Sequence, residues 1–231
     1  MVIGGTSGIG LAVARAAAET GAQVIVASSN PDSVAAALAA LPASASGQAV
    51  DASSTSELAA FFDSVGGFNH FVWTAASNLA STPLRDYTPQ KAWDFLSLRL
   101  VFVFEATRLA VPHLAPTGSI TLTSGTAAVK GGEGWLLGAV ASGAMISAAR
   151  SLAAELAPIR VNVVAPGVTR SPAWRQMPES EREEMYRQVG ASIPLGRVGE
   201  LSDIAKAYVQ LMDQDYATGA VSVVDGGTLI S

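Results

Sequence analysis

A chain of 231 residues, 49% hydrophobic and only 14% charged, is long enough to bury the core of one α/β domain and apolar enough for a parallel sheet covered on both faces. A formal charge of −5 with scattered lysines and arginines argues against nucleic acid or an anionic membrane as partner, because counterion release needs clustered cations. The lack of cysteine excludes disulfides, thiolate nucleophiles and zinc–thiolate centres, and the two histidines, His70 and His113, fall in different elements, so no metal is expected.

The first predicted element is an apolar stub at residues 1–3, short unless further residues precede it. Next comes Gly4-Gly-Thr-Ser-Gly-Ile-Gly10, running into a helix at 11–19. A strand that turns on glycines into a helix brings bare amides and the positive helix end together, where a pyrophosphate can sit. Such turns also serve packing alone, so the neighbouring elements decide. A buried strand at 23–27 and a helix at 33–41 behind Asn30-Pro31 complete a βαβ unit. Further strands are predicted at 48–50, 68–73, 119–123, 160–164 and 221–224. Helices are predicted at 57–65, 90–113, 137–156, 179–189 and 203–212, the last opened by Ser202-Asp203. The charged stretch 179–187 reads as a solvated helix face, placed where a mobile lid would be useful. Strict alternation gives the fold class: α/β, a Rossmann-type doubly wound parallel sheet in a single domain. Neither a bilayer-spanning apolar run nor a basic, apolar leader is read, so the expectation is a soluble, cytoplasmic protein.

From Ile3 to Gly227 the chain resembles the short-chain dehydrogenases/reductases. The resemblance is carried by Gly4-x-x-x-Gly8-x-Gly10, Asp51 after the third strand, Arg160-Val-Asn-Val-Val-Ala-Pro-Gly167, Pro194-Leu-Gly-Arg197 and Val224-Asp-Gly-Gly227. It implies that Gly4, Gly8 and Gly10 line a pyrophosphate, with Thr6, Ser7 and the amide of Ile9 nearby. It also implies that Asp51 accepts from the adenine amino group; the alternative for Asp51 is a cap on the following Ser53-Ser54-Thr55 turn. Ala52, Thr74 and Ala75 join the candidate cofactor contacts, and Pro166, Gly167, Val168 and Ser171 would meet the nicotinamide. The Asp225-Gly-Gly turn reads as architecture. An acid at the end of the second strand would bind a ribose diol and repel a 2'-phosphate. Ser28, Ser29 and Asn30 stand there instead, so the expected cofactor is NADP(H). The resemblance further implies a small-molecule substrate and a homo-oligomer, dimer or tetramer, built through the two long helices.

Members of standard type use Asn, Ser, Tyr and Lys. The corresponding positions here hold Arg99, Gly125, Gly138 and Ser142, and the family's Asn-Asn-Ala-Gly segment reads Trp73-Thr-Ala-Ala76. Losing a positioned general acid costs about 10²–10⁴ in rate, roughly 3–5 kcal/mol of barrier. Four residues are candidates to replace the missing groups. Arg99 offers a permanent cation for a carboxylate, carbonyl or enolate, or else lies in an oligomer interface. Ser124 neighbours the serine position but faces the other side unless the strand end twists. Glu133 and Trp135 occupy the loop before the former catalytic helix, where a carboxylate could pair with Arg99 or stabilise a cation and an indole could stack on a flat substrate; a solvated charge and a packing residue are the alternatives. Trp174 with Arg175 reads as a substrate-loop pair, with simple packing of Trp174 as the alternative.

This pattern resembles a divergent branch found in bacteria and fungi, some fungal members of which act in alkaloid biosynthesis, although its usual acidic loop residue is Gly132 here. The leading expectation is NADPH-dependent reduction of an activated C=N or conjugated carbonyl. A redox-neutral cyclase or isomerase that uses NADP to shape its pocket is the second, and a non-catalytic nucleotide-binding subunit the third.

Overall fold

The computed structural model describes residues 1–79 and 81–231. Seven strands form: β1 Val2–Ile3, β2 Ile25–Ser28, β3 Ser46–Ala49, β4 Phe68–Trp73, β5 Leu114–Thr123, β6 Arg160–Pro166 and β7 Val221–Val224. They make one parallel sheet in the order β3-β2-β1-β4-β5-β6-β7. Parallel strands require crossovers that cover the faces, which is why β6, paired on both sides, is buried at every position. Edge strand β3, Ser-Gly-Gln-Ala, is polar because one of its sides has no partner strand.

The crossovers are α1 Gly8–Glu19, α2 Pro31–Ala39, α3 Thr55–Val65, α4 Pro89–Leu96, α5 Phe102–Ala110, α6 Leu136–Glu155, α7 Glu179–Ala191 and α8 Leu201–Asp213. On one face Val13, Ala14 and Ala17 of α1 meet Ile204, Tyr208 and Leu211 of α8. On the other, Phe61 and Phe62 of α3, Val103 and Ala106 of α5 and Met145 and Ala149 of α6 close over Phe71 and Ile120. Each buried phenylalanine contributes about 1.5–3 kcal/mol by removal from water. The result is a single-domain α/β fold of Rossmann type.

Three details depart from the sequence reading. The helix expected at 90–113 is divided: α4 passes through a π turn at Ser97–Val101 into α5, and a 3-10 turn at Val111–His113 ends the run where Pro112 removes a donor. Helix α8 begins at Leu201 because Glu200, not Ser202, precedes it as cap, and the Asp203 carboxylate reaches back to the Glu200 N–H at 3.0 Å. Finally, α6 is by length and composition apolar enough to cross a membrane, with a mean hydropathy of 1.4, contrary to the expectation that no such run exists. Its residues Ala141, Met145, Ala149 and Ala153 are buried against the protein's own core.

The chain leaves β1 toward β2 on one side and leaves β4 toward β5 on the other. That divergence opens a crevice beyond the carboxyl ends of β1 and β4, the place where open α/β sheets accept ligands.

Candidate active site

At the crevice, the turn from β1 into α1 touches the end of β4 so closely that side chains cannot fit between them. A Cβ on Gly4, whose φ is +82°, would lie 2.6 Å from the Ala75 nitrogen, and one on Gly10 would lie 2.2 Å from the Gly4 carbonyl oxygen and 2.4 Å from Thr74 Oγ1. Thr74 fixes this junction by donating its N–H and Oγ1 to the Ile3 carbonyl at 2.9 and 3.1 Å. Gly8 differs: its Cβ would meet only Pro172 Cδ, at the ordinary contact distance of 3.6 Å, so the loops after β1 and β6 face each other with room for a methyl group. Ser7 occupies the cap position of α1, but its hydroxyl does not cap, and the first turn carries no acid. Amides there remain available to an anion beside the positive end of a helix. Thr6 and Ile9 are half-buried beside them and Ser7 is exposed.

Ser28 ends β2 half-buried and Ser29 is exposed. Asn30 caps α2: its Oδ1 accepts from the N–H groups of Asp32 and Ser33 at 2.8 and 3.1 Å, which leaves its NH2 group as the neutral donor that the sequence reading assigns to it. For Asp51 the cap alternative is realised: Oδ1 accepts the N–H and O–H of Ser53 at 2.8 and 2.7 Å, which holds the carboxyl below its ordinary pKa. Oδ2 has no hydrogen-bond partner among the described residues, and adjacent Ala52 is buried.

Beyond β6, Gly167 packs on the turn after β7; a Cβ there would stand 2.9 Å from Asp225 Cα. Both Asp225 carboxylate oxygens accept backbone N–H groups, from Gly227 and Leu229 at 2.9 Å each, so this turn is architecture as read. Pro166 is buried in β6, Val168 accepts the Gly199 N–H, and the Ser171 N–H points at the buried Tyr186 hydroxyl 3.4 Å away.

The remaining candidates separate. Gly125 and Ser142 do face each other: a Cβ on Gly125 would lie 3.2 Å from Ser142 Oγ. Ser124 is corrected, because its hydroxyl donates to the Ser142 carbonyl at 2.7 Å and its proton is committed to the helix backbone. Glu133 is corrected too. It is exposed and paired with Arg85 at 3.3 Å, not with Arg99. Trp135 is half-buried and meets Trp174 edge to face, ring centroids 5.8 Å apart, while Arg175 is exposed.

Arg99 sits in the π turn, half-buried. Nη1 donates to Ser77 Oγ and, at 3.0 Å, to the Phe95 carbonyl; Nη2 donates to the Ser77 carbonyl, and the guanidinium carbon lies 4.0 Å above the Phe95 ring. No carboxylate pairs with it among the described residues. Burial lowers its pKa to about 10, which leaves it charged at neutral pH with Nε–H and one Nη2 hydrogen uncommitted. The sequence reading missed Ser77 as its anchor; no local signal marks a serine that acts across a loop.

Two of the tyrosine and lysine side chains are engaged by the fold itself. Tyr208 bonds Thr123 at 2.7 Å, and Lys130 donates to the carbonyls of Thr228 and Ser231. A concavity of about 660 Å³ lies apart from the crevice, where Arg170 covers Tyr186 and pairs with Glu183. Its charges compensate one another.

The family model described as enoyl-(acyl carrier protein) reductase matches residues 4–228. The short-chain dehydrogenase/reductase ATR9 of Stachybotrys chlorohalonatus is 37% identical over 100% of this chain and 96% of its own. The MalC reductase/Diels-Alderase of Malbranchea aurantiaca superposes with a TM-score of 0.91 at 29% identity, covering 100% of this chain and 96% of that one. A small-chain dehydrogenase in complex with NADPH superposes at 0.85 with 31% identity, over 100% and 97% of the two chains. Agreement in sequence and in fold from end to end makes this chain a member of the short-chain dehydrogenase/reductase family.

Proposed function

We propose that the chain is an NADP(H)-dependent oxidoreductase that reduces an activated C=N or conjugated carbonyl in a small molecule. One observation carries this reading: a half-buried guanidinium, Arg99, without a carboxylate partner among the described residues, beside a crevice where Gly125, Gly138 and Ser142 stand at the positions that the resemblance assigns to Ser, Tyr and Lys. The residues fit the dinucleotide, since α1 offers free amides with no acid in its first turn and Gly8 sets no side chain between them and the loop after β6. Gly4, Gly8, Gly10, Thr6, Ser7 and Ile9 would hold its pyrophosphate, Asp51 Oδ2 its adenine, Ser28 and Ser29 its 2'-phosphate, and Pro166, Gly167, Val168 and Ser171 its nicotinamide. The cofactor, when bound, supplies the hydride.

Arg99 would hold the substrate oxygen with its two uncommitted hydrogens and stabilise the negative charge that grows there. A second positive charge 4 Å away would cost about 4 kcal/mol at the effective dielectric of a protein surface. A neutral enone, or an imine conjugated with a carbonyl, therefore suits the site better than a charged iminium. Unactivated ketones need a proton donor that none of these positions provides. The redox-neutral reading, a cyclase or isomerase, is favoured by one observation, the likeness to a relative described as both reductase and Diels-Alderase.

The discriminating measurement follows NADPH absorbance and product together on enones, conjugated imines and simple ketones. Oxidation of one NADPH per product supports the reductase. Product without oxidation selects the redox-neutral enzyme, and tight NADPH binding with no product from any substrate leaves a nucleotide-binding subunit. The homo-oligomer remains part of the proposal, with Val101 and Phe104 of the 97–110 run and Val140 of α6 exposed on the helices that would pack.

A further inference from the structure

Trp135 stands at the start of α6 and Trp174 closes the 3-10 turn Pro172–Trp174 that follows β6. Their rings meet at 69°, edge to face, and each is held from behind. Trp174 Nε1 donates to the Thr169 carbonyl at 3.1 Å. The loop carrying Trp135 is pinned where the Gly134 carbonyl accepts the Thr82 N–H at 2.8 Å. Gly138 supplies the remaining piece. A Cβ at that position would meet only the six-membered ring of Trp135, with Cε3 at 3.2 Å and Cζ3 at 3.8 Å, so a side chain at 138 and the indole compete for one space. Gly138 and Ser142 are one turn apart on the same face of α6, and Ser142 faces Gly125 at the end of β5. The indole pair thus adjoins the crevice through the start of α6 and the loop after β6, and both rings remain partly accessible.

We infer that Trp135 and Trp174 form an aromatic wall that selects substrates with a flat aromatic ring next to the reducible bond, and that Gly138 is the specificity-determining position that seats the Trp135 ring in it. This rests on the reductase reading of the crevice. A ring packed against both indoles at ordinary aromatic-pair strength gains roughly tenfold in affinity over a saturated ring of the same skeleton.

The test is calorimetric titration of the NADPH-saturated protein with 2-acetylnaphthalene and with its fully saturated decalin counterpart, which carries the same ketone. The expected result is a roughly tenfold preference for the naphthyl ketone. Trp174→Ala and, independently, Trp135→Leu should bring the ratio to about one, and Gly138→Val should do the same with both indoles present. NADPH affinity, unchanged in each variant, certifies the fold. Equal affinity for the two ketones in the parent protein, no naphthyl binding at millimolar concentration, or a preference that survives in a folded tryptophan variant would each overturn the wall. A tenfold preference without NADPH oxidation on any substrate sinks the reductase reading and leaves the wall standing.

Discussion

Arg99 is a cation that the fold has half-buried and left without a counter-charge among the described residues. Its anchors, the Ser77 hydroxyl and carbonyl and the Phe95 carbonyl, satisfy donors but neutralise nothing. Under either enzymatic reading, Arg99→Ala should lower kcat/KM by 100-fold or more, on the order of 3 kcal/mol of transition-state stabilisation, and leave the NADPH dissociation constant within twofold. An unchanged rate would remove Arg99 from the site. The glycines give a second contrast at the same scale. Gly10→Ala drives a methyl to 2.2 Å from the Gly4 carbonyl oxygen and should abolish nucleotide binding. Gly8→Ala has room, and at a φ of +51° should cost only about 1–2 kcal/mol of strain. Equal losses in thermal melts and NADPH titrations of the two variants would contradict this account of the cradle.

Helix α8, which backs the crevice, is secured at both ends. At its start Asp203 takes the Glu200 N–H at 3.0 Å and pairs with Arg197 at 2.7 Å. At its end buried Arg160 donates to the carbonyls of Leu211 and Met212 at 2.8 and 2.9 Å, supplying the partners that a helix terminus otherwise lacks. Arg160→Ala should therefore destabilise the fold by about 2–3 kcal/mol in urea unfolding, and Asp203→Ala by about 1 kcal/mol at pH 7. The second effect depends on pH. Arg197 and the Glu200 amide hold the Asp203 carboxyl below its ordinary 3.8, so its contribution is complete above that value and is lost as pH falls through the lower, folded-state pKa. Parent and variant curves should converge in strong acid; a constant gap down to the acid transition would contradict the assignment. The π turn belongs to this scale too. A helical period is visible along 90–113, but the extra residue that makes the turn wide leaves no mark in that pattern, and Arg99 sits within it.

For the molecule as a whole, the sheet order decides that the glycine turn, the end of β4 and the loop after β6 share one edge. A ligand that bridges them should stabilise the entire fold. NADPH at about 100 times its dissociation constant should add roughly 2.7 kcal/mol, a rise in Tm of roughly 5–10 °C for a chain of this size. NADH should give less, because Ser28 and Ser29 replace the acid that would grip a ribose diol. Equal shifts from the two nucleotides would remove that argument.

The sequence alone determined the alternating elements, the glycine cradle and the family, because strand period, helix period and glycine turns are encoded by residues only a few positions apart. Tertiary structure alone decided that Glu133 pairs with Arg85, that Arg99 is tethered by Ser77, that the Ser124 hydroxyl donates to the Ser142 carbonyl and that Trp135 meets Trp174. Those partners are far apart in the chain, and the loops that join them take their course from packing against the finished sheet.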